Sequence, residues 1–259
     1  MTPTSRRRFV EDLLALIPAY AALGFLFEHD LFAAQTRPAA YRWLLDVQEA
    51  SRSLSGGRLR PAQWQAALET LFGGVTLPEM LRLVDFDRLA PAMERPSDRA
   101  AARKIELPAV EGLPEPAAFF TKVFALGPDV AIVPHGHRNM ASMHVVLSGE
   151  IRLRHFDRVQ DEAGHMLIRP TIDRTATPGD FSSISSQKDN IHWLANTGAG
   201  PAYTLDIIVD NLDPTLGFPY RMDFVDVAGG EKAEGDMIRA PRVSFERALA
   251  LYGPAGIRR

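Results

Sequence analysis

The second half of the chain is divided into short apolar runs, and this pattern limits the fold more than any other feature. Between Ile105 and Val209, proline and glycine interrupt β-type residues about every 8 to 15 positions. Eight such runs with few helices between them predict a small antiparallel barrel or jelly roll. The predicted strands cover residues 119–126, 131–133, 144–147, 150–156, 165–169, 181–185, 191–195 and 203–209.

The first hundred residues have helical spacing instead. After residue 38, apolar side chains recur at intervals of three and four, and Pro61 marks a helix start. Thr76 and Glu79 have the spacing of a capping box at the start of another helix. A last helix is predicted over residues 244–252. The whole chain is predicted to be α+β, with a helical region at 1–100, a β-barrel at 101–225 and a C-terminal tail with a short helix at 226–259.

The N-terminus permits two interpretations. Residues 5–10, with Arg6 and Arg7, resemble a twin-arginine export signal covering residues 1–27, which predicts a periplasmic protein. Glu11, Asp12 and Pro18 interrupt that pattern, and the alternative is a first helix packed in the core of a cytoplasmic protein. The apolar run of about 15 residues is short of the roughly 20 needed for a stable membrane span.

Composition narrows the chemistry. The chain of 259 residues has 29 Lys and Arg against 32 Asp and Glu, a formal charge of -3, which disfavours nucleic acid as a partner. It contains no cysteine, so thiolate metal sites and a cysteine nucleophile are excluded. The possible metal ligands are His, Asp and Glu, and the seven histidines become the informative residues.

Two of these histidines form an H-x-H pair. His135 and His137 follow the apolar run 131–133, and side chains two apart on a strand share a face. Both could therefore bind one ion inside the barrel. Alone the pair is a weak sign, because neighbouring histidines are more often surface or packing residues.

Further segments resemble the cupin family. Its two motifs are matched at His135, His137, Gly149, Gly179, His192 and Asn196, over roughly residues 119–209, about a third of the chain. The resemblance implies a metal site formed by His135, His137 and His192. Ser142 occupies the position of the family's glutamate ligand, and the second motif lacks its Pro-x-Gly before His192. The implied ligand set is therefore three neutral imidazoles.

An all-histidine set resembles the thiol dioxygenase branch of the cupins, the relatives of cysteine dioxygenase. That branch often carries a Ser-His-Tyr relay after the last ligand, whereas this chain has the run 204–208 with Asp206. His144 follows the H-x-H pair and is expected to be an outer hydrogen-bond partner of the metal-binding histidines. Its odd spacing from His137 requires a loop at 138–143 that turns its side chain to the same face. His29, His155 and His165 are expected to be structural or surface residues.

The expected cofactor is one divalent ion; the ligand set suits iron, zinc or nickel, with manganese a further alternative, and it is the family resemblance that favours iron(II). Iron would allow oxidation of a small organic substrate, a thiol first, by dioxygen; zinc would favour hydrolysis through a bound water. A zinc, manganese or nickel isomerase or hydrolase and a non-catalytic ligand-binding module are the rival functions. The family resemblance leaves a homodimer open. Candidate cations for a substrate carboxylate are Lys122, Arg103, Arg152 and Arg154.

Overall fold

The computed structural model describes residues 39–216 and 222–254. The expected export signal at 1–27 and His29 lie outside these residues. The helices are α1 (Ala39–Ser55), α2 (Pro61–Phe72), α3 (Leu77–Leu83), α4 (Phe86–Leu89), which runs into a 3₁₀ turn (Ala90–Ala92), and the C-terminal α5 (Phe245–Tyr252). Among the described residues, none of the helices has the length and apolar character required to cross a membrane.

Twelve strands follow the first helices in the described part of the chain. They are β1 (Ala101–Ile105), β2 (Phe120–Leu126), β3 (Ala131–His137), β4 (Met140–Ser148), β5 (Ile151–Glu162), β6 (His165–Ala176), β7 (Phe181–Ile184), β8 (Ile191–Asn196), β9 (Ala202–Asp210), β10 (Met222–Val225), β11 (Glu231–Lys232) and β12 (Ile238–Val243). A short 3₁₀ turn (Pro214–Leu216) follows β9.

The strands form two antiparallel sheets that face each other. The five-stranded sheet has the order β1-β2-β9-β4-β7, and the seven-stranded sheet has the order β10-β3-β8-β5-β6-β12-β11. Because β12 pairs with both β6 and β10, six strands of the second sheet close into a ring. The observed α+β architecture, with leading helices, a jelly-roll-like sandwich and a C-terminal helix, confirms the predicted fold class.

The helical region covers the outer face of the five-stranded sheet. Trp64 of α2 is fully buried, and it belongs to one apolar cluster with Val123 of β2, Met143 of β4 and Ile207 of β9. Since alternate residues of a strand face opposite ways, their neighbours point to the other sheet. This arrangement buries β4 and β9 on both faces, which explains why they read as continuous apolar runs.

The local signals for helices were correct. Thr76 caps α3, and the carboxylate of Glu79 accepts hydrogen bonds from the Thr76 backbone N–H at 2.9 Å and from its hydroxyl at 2.7 Å. Pro61 is the first residue of α2, and Ser244 caps α5 by accepting a hydrogen bond from the Arg247 N–H. The predicted tail at 226–259 contributes more than a helix, because β11 and β12 belong to the seven-stranded sheet.

All eight predicted strands are present, but several are longer than predicted. The H-x-H pair lies within β3 rather than after it, and β5 and β6 each extend to 12 residues. The loop expected at 138–143 is only the two residues between β3 and β4, so β4 already begins at Met140. This short link carries the chain from one sheet to the other.

Candidate metal centre

Three histidines from two paired strands converge between the sheets. His135 and His137 lie on β3 and His192 lies on β8. Each offers a ring nitrogen, and these atoms all lie within 4.8 Å of one another. Their ring centroids are separated by 4.2 Å to 5.3 Å. The predicted ligand residues are thus brought to one place, from which they could bind one divalent ion.

A β-bulge gives His135 its orientation. Ile132 pairs with Leu194 and His135 pairs with His192, so three steps along β3 correspond to two steps along β8. The extra residue resets the alternation of side chains, and His135 therefore shares the inward face of Ile132. Pro134 lies in the bulge, where the absence of a backbone N–H removes no regular ladder bond.

Gly136, between the two histidines of β3, packs closely against the side chains of Asn190 and Ile191. A Cβ on Gly136 would lie 2.5 Å from both Asn190 Oδ1 and Ile191 Cδ1, closer than side-chain atoms can approach. The Asn190 amide nitrogen also donates to the His137 carbonyl at 2.6 Å. Gly136 therefore allows β3 to lie close enough to the end of β8 for the three imidazoles to meet.

The imidazoles are neutral at ordinary pH. Burial lowers the pKa of His135 from 6.5 to about 4, and it lowers the pKa of His137 and of His192 well below that ordinary value. The Val133 carbonyl can only accept, so His135 donates to it from Nδ1 at 2.8 Å and keeps the lone pair on Nε2. This is the protonation state in which a histidine binds a metal ion.

The three residues fit a divalent metal ion. Zinc-type bonds to imidazole nitrogen are about 2.1 Å long, so side-chain shifts of under about 1 Å would bring these nitrogens to one centre. His192 Nδ1 is buried and has no hydrogen-bond partner among the described residues. Buried polar atoms normally have a partner, and a bound ligand would provide one. Neutral nitrogen donors suit iron, zinc and nickel.

Cross-strand pairing extends this cluster into a row. His135, His192 and His155 are directly opposite one another on β3, β8 and β5, and we refer to them as the histidine row. All three are buried. Burial lowers the pKa of His155 to about 3, and its Nε2 lies 3.5 Å from the Ser182 hydroxyl oxygen of the opposite sheet. His155 is therefore interior, as the expectation of a structural or surface residue allowed.

A second row faces it from the five-stranded sheet. Lys122, Asp206, His144 and Ser182 are opposite one another on β2, β9, β4 and β7, and we refer to them as the polar row. His144 Nδ1 donates to Asp206 Oδ2 at 2.7 Å, and the Thr204 hydroxyl donates to Asp206 Oδ1 at 3.1 Å. The ring of His144 lies 5.4 Å from that of His192, so the two rows meet across the sandwich.

The rows enclose a cavity of about 310 Å³. His135, His137 and His192 line one side, and Lys122, Ser142, His144 and Asp206 line the other. Most of the remaining lining is apolar. Ser142, which replaces the glutamate of the cupin pattern, faces this cavity, and its hydroxyl oxygen is buried with no hydrogen-bond partner among the described residues.

Several other predicted residues can now be located. Of the four candidate cations, Lys122 lines the cavity, whereas Arg103 is exposed and Arg152 and Arg154 pair with Asp173 on the outer face. His165 is partly exposed and lies outside the cavity lining.

Asn196, the last residue that matches the family motifs, holds the end of β8. Its amide nitrogen donates to the carbonyls of Leu126, Gly127 and Gly200, at 2.8 Å to 3.0 Å. Trp193 points away from His192 and packs edge-on against Tyr252 of α5. Both residues therefore fix the strand that carries the third histidine.

The sequence interpretation did not place His155 beside the metal-ligand candidates, and it did not recognise the role of Asp206. His155 follows Ile151 and Leu153 at two-residue intervals, and that alternation indicates an inward position. Asp206 alternates with Leu205 and Ile207 in the same way, so it points opposite to the helix-covered face. The run 204–208, which lacks the Ser-His-Tyr relay, instead supplies the carboxylate that holds His144.

No family model matches this sequence, and no curated protein matches it either. Its neighbours among solved structures include cupin and double-stranded β-helix proteins. An oxalate oxidase in complex with glycolate is 17% identical, with 46% of this chain and 54% of that chain covered and a TM-score of 0.33. This match spans only about half the length of the oxalate oxidase chain.

Two further neighbours have similar values. A protein from Klebsiella pneumoniae with a double-stranded β-helix domain is 15% identical, with 40% of this chain and 73% of that chain covered and a TM-score of 0.29. A cupin superfamily protein from Desulfitobacterium hafniense is 14% identical, with 47% and 87% covered and a TM-score of 0.31. The thiol dioxygenase branch stays a prediction from the sequence motifs.

Proposed function

We propose that this protein is a mononuclear metalloenzyme in which His135, His137 and His192 bind one divalent ion, iron(II) in the first place. The proposed reaction is oxidation of a small organic molecule by dioxygen, with thiols as the first substrate class to test. The observation that carries the proposal is the convergence of three neutral imidazoles at the wall of a largely apolar cavity.

The chemistry that iron(II) supplies in a neutral three-nitrogen set is one-electron exchange with dioxygen and attraction of an anionic substrate group. The chain supplies position and shelter. The Val133 carbonyl fixes the ring of His135 by accepting a hydrogen bond from its Nδ1, and the apolar lining, which includes Met140 and Ile208, disfavours water beside the imidazoles.

The His144–Asp206 pair supplies a proton acceptor beside the site. The carboxylate keeps the proton on His144 Nδ1, which leaves Nε2 as the acceptor. That nitrogen is buried and has no hydrogen-bond partner among the described residues. The pair could therefore accept a proton from a bound substrate, as thiol or alcohol ionisation requires.

The same pair favours a second candidate function. A zinc, manganese or nickel ion in this site would support an isomerase or hydrolase, since both reactions need a proton acceptor close to the polarised substrate. Turnover by such an enzyme would not need dioxygen. Assay of one substrate with and without oxygen separates the two functions.

Elemental analysis of the purified and reconstituted protein tests the proposal. We expect one transition-metal ion per chain in the natural protein and at least about a 100-fold lower affinity in His137→Ala, because one of three donors is lost. His165→Ala is the matched control, since His165 is outside the cavity, and it should keep its ion. A natural protein that binds no ion, or an unchanged His137→Ala, would contradict the metal site.

A further inference from the structure

The cavity contains one basic side chain whose charge is not matched by an acid. Of the described residues that line it, Arg99 and Lys122 carry full positive charges. Arg99 is exposed and pairs with Asp98 at 2.9 Å. The ammonium of Lys122 has no carboxylate of a described residue within 4.0 Å, and it is attracted only weakly to the ring of Phe120, whose centroid is 5.6 Å away.

Asp206, the cross-strand neighbour of Lys122, is already engaged. One of its carboxylate oxygens accepts from His144 Nδ1 at 2.7 Å, and the other accepts from the Thr204 hydroxyl at 3.1 Å. The neighbour on the other side is Lys104, whose ammonium lies 5.9 Å from the centroid of the same Phe120 ring. Lys104 is exposed and lies outside the cavity lining, so of these two ammonium groups only that of Lys122 belongs to the cavity.

The rest of the lining limits what that anion can be. Most of the wall is apolar, and it includes Phe124, Ile132, Met140, Leu194 and Ile208. A volume of about 310 Å³ is at the lower end of the range of ligand pockets, about 300 to 1,000 Å³. A single ammonium suits a singly charged group, because a phosphate dianion needs several charged or N–H donors.

We propose that the cavity binds a small organic monocarboxylate with an apolar body, and that Lys122 holds its carboxylate group. The inference rests on the proposed function, because it names the substrate class of the same site. Lys122 and the three histidines line opposite sides of the cavity. A bound monocarboxylate with its charged end at Lys122 therefore directs its other end towards the imidazoles.

Calorimetric titration with hexanoate and with hexanamide, its neutral analogue, tests the role of Lys122. Chelator-treated protein is titrated first, because hexanoate then has no metal ion to bind. We expect the natural protein to bind hexanoate at least about tenfold more tightly than hexanamide, and Lys122→Met to lose this preference. Lys122→Arg, which keeps the charge, should retain most of it and shows that the site still folds.

Lys104→Met is the matched control. Lys104 is exposed, it lies over the same aromatic ring, and it is outside the cavity lining. This variant should change hexanoate affinity by no more than about twofold. Equal losses in both lysine variants, an undiminished preference in Lys122→Met, or no binding of hexanoate, butyrate or benzoate by the natural protein would each overturn the inference.

The metal content of the same preparations separates this inference from the proposed function. A natural protein that binds hexanoate through Lys122 but takes up no ion contradicts the metal site alone. A protein that holds one ion per chain, but whose hexanoate affinity is the same with and without the Lys122→Met substitution, contradicts the carboxylate site alone.

Discussion

The two walls of the cavity solve the problem of buried polar groups in different ways. The polar row, on the five-stranded sheet, satisfies its acid internally, since both oxygens of Asp206 accept hydrogen bonds from neighbours, and of its imidazole only His144 Nε2 has no partner among the described residues. The histidine row, on the seven-stranded sheet, keeps buried nitrogens, Nδ1 of His155 and of His192, without partners among the described residues.

The difference indicates where an external ligand belongs. A buried polar atom without a partner costs about 1 to 3 kcal/mol, so each wall is stabilised when a ligand binds to the atoms that it leaves without partners. Neutral imidazoles can bind a cation through their lone pairs, whereas the ammonium of Lys122, at the end of the polar row, can bind an anion. One wall therefore suits a metal ion, and the other suits the negatively charged end of a substrate.

The largest effect is expected from acidification, which should lower the free energy of unfolding through the buried histidines. The pKa of His135 is lowered from 6.5 to about 4, and that of His155 is lowered from 6.5 to about 3. Between pH 6.5 and these lowered values, the unfolded chain therefore binds more protons than the folded one. The stability of metal-free protein must therefore fall as the pH falls below 6.5. For His135 alone the loss reaches about 3 kcal/mol at pH 4.

Urea unfolding of chelator-treated protein at several pH values between 7.5 and 4.5 measures this effect. His155→Leu should flatten the profile, because it removes one of the titrating groups. Asp46, whose pKa burial raises to about 6, and Asp189, whose pKa burial also raises, act in the opposite direction, but they are two carboxyls against four histidines, His135, His137, His155 and His192. A midpoint that stays constant down to pH 5 would show that the histidines are not held neutral by burial.

The end of β8 should be the next most sensitive point. Asn196→Ala removes an amide that donates to three backbone carbonyls and an oxygen that accepts from the Gly198 N–H. We expect a loss of about 2 to 4 kcal/mol in the free energy of unfolding, because buried backbone groups lose their partners. Gln160→Ala, on an exposed part of β5, should stay within about 0.5 kcal/mol. Similar losses in both variants would contradict the anchoring role.

The comparison of walls also shows how far sequence reasoning reaches. The eight central strands were predictable because their apolar residues alternate or run together, and the three histidines followed from spacing and the family motifs. Strands β1, β10, β11 and β12 were missed, since they are short and few of their residues are fully buried. Their place depends on pairing with distant strands, which local pattern does not encode.

Residues of the polar row were harder to predict for the same reason. His144 and Asp206 are 62 positions apart, and only the register of β4 against β9 makes them opposite. The orientation of His135 depends on a bulge that the alternation of residues 131–133 does not announce. Long-range register and single-residue irregularities therefore set the limit, while residue types and local periodicity predicted the rest.

The hydrogen bond inside the polar row should have a smaller effect than the β8 anchor. Asp206→Asn replaces a carboxylate by an amide of similar shape and weakens the bond from His144 Nδ1. We expect a loss of about 1.5 to 3 kcal/mol, the range for hydrogen bonds to charged groups, by urea unfolding. Thr204→Val should cost about half of that, since it removes one neutral donor. An Asp206→Asn variant with unchanged unfolding free energy would contradict a charged, structural role for this pair.

The smallest effect, and one of opposite sign, is expected at Ser142. Its hydroxyl oxygen is buried on the polar wall without a hydrogen-bond partner among the described residues, so Ser142→Ala removes a desolvated group and leaves only a small space. We expect stability to be unchanged or increased by up to about 1 kcal/mol. Ser183→Ala is the matched control, because the Ser183 hydroxyl donates to Glu69 and accepts from Gln65, and its loss should destabilise the protein. A clear loss in Ser142→Ala would instead show that this hydroxyl already has a partner, and the polar wall would then be satisfied at every position but Lys122 and His144.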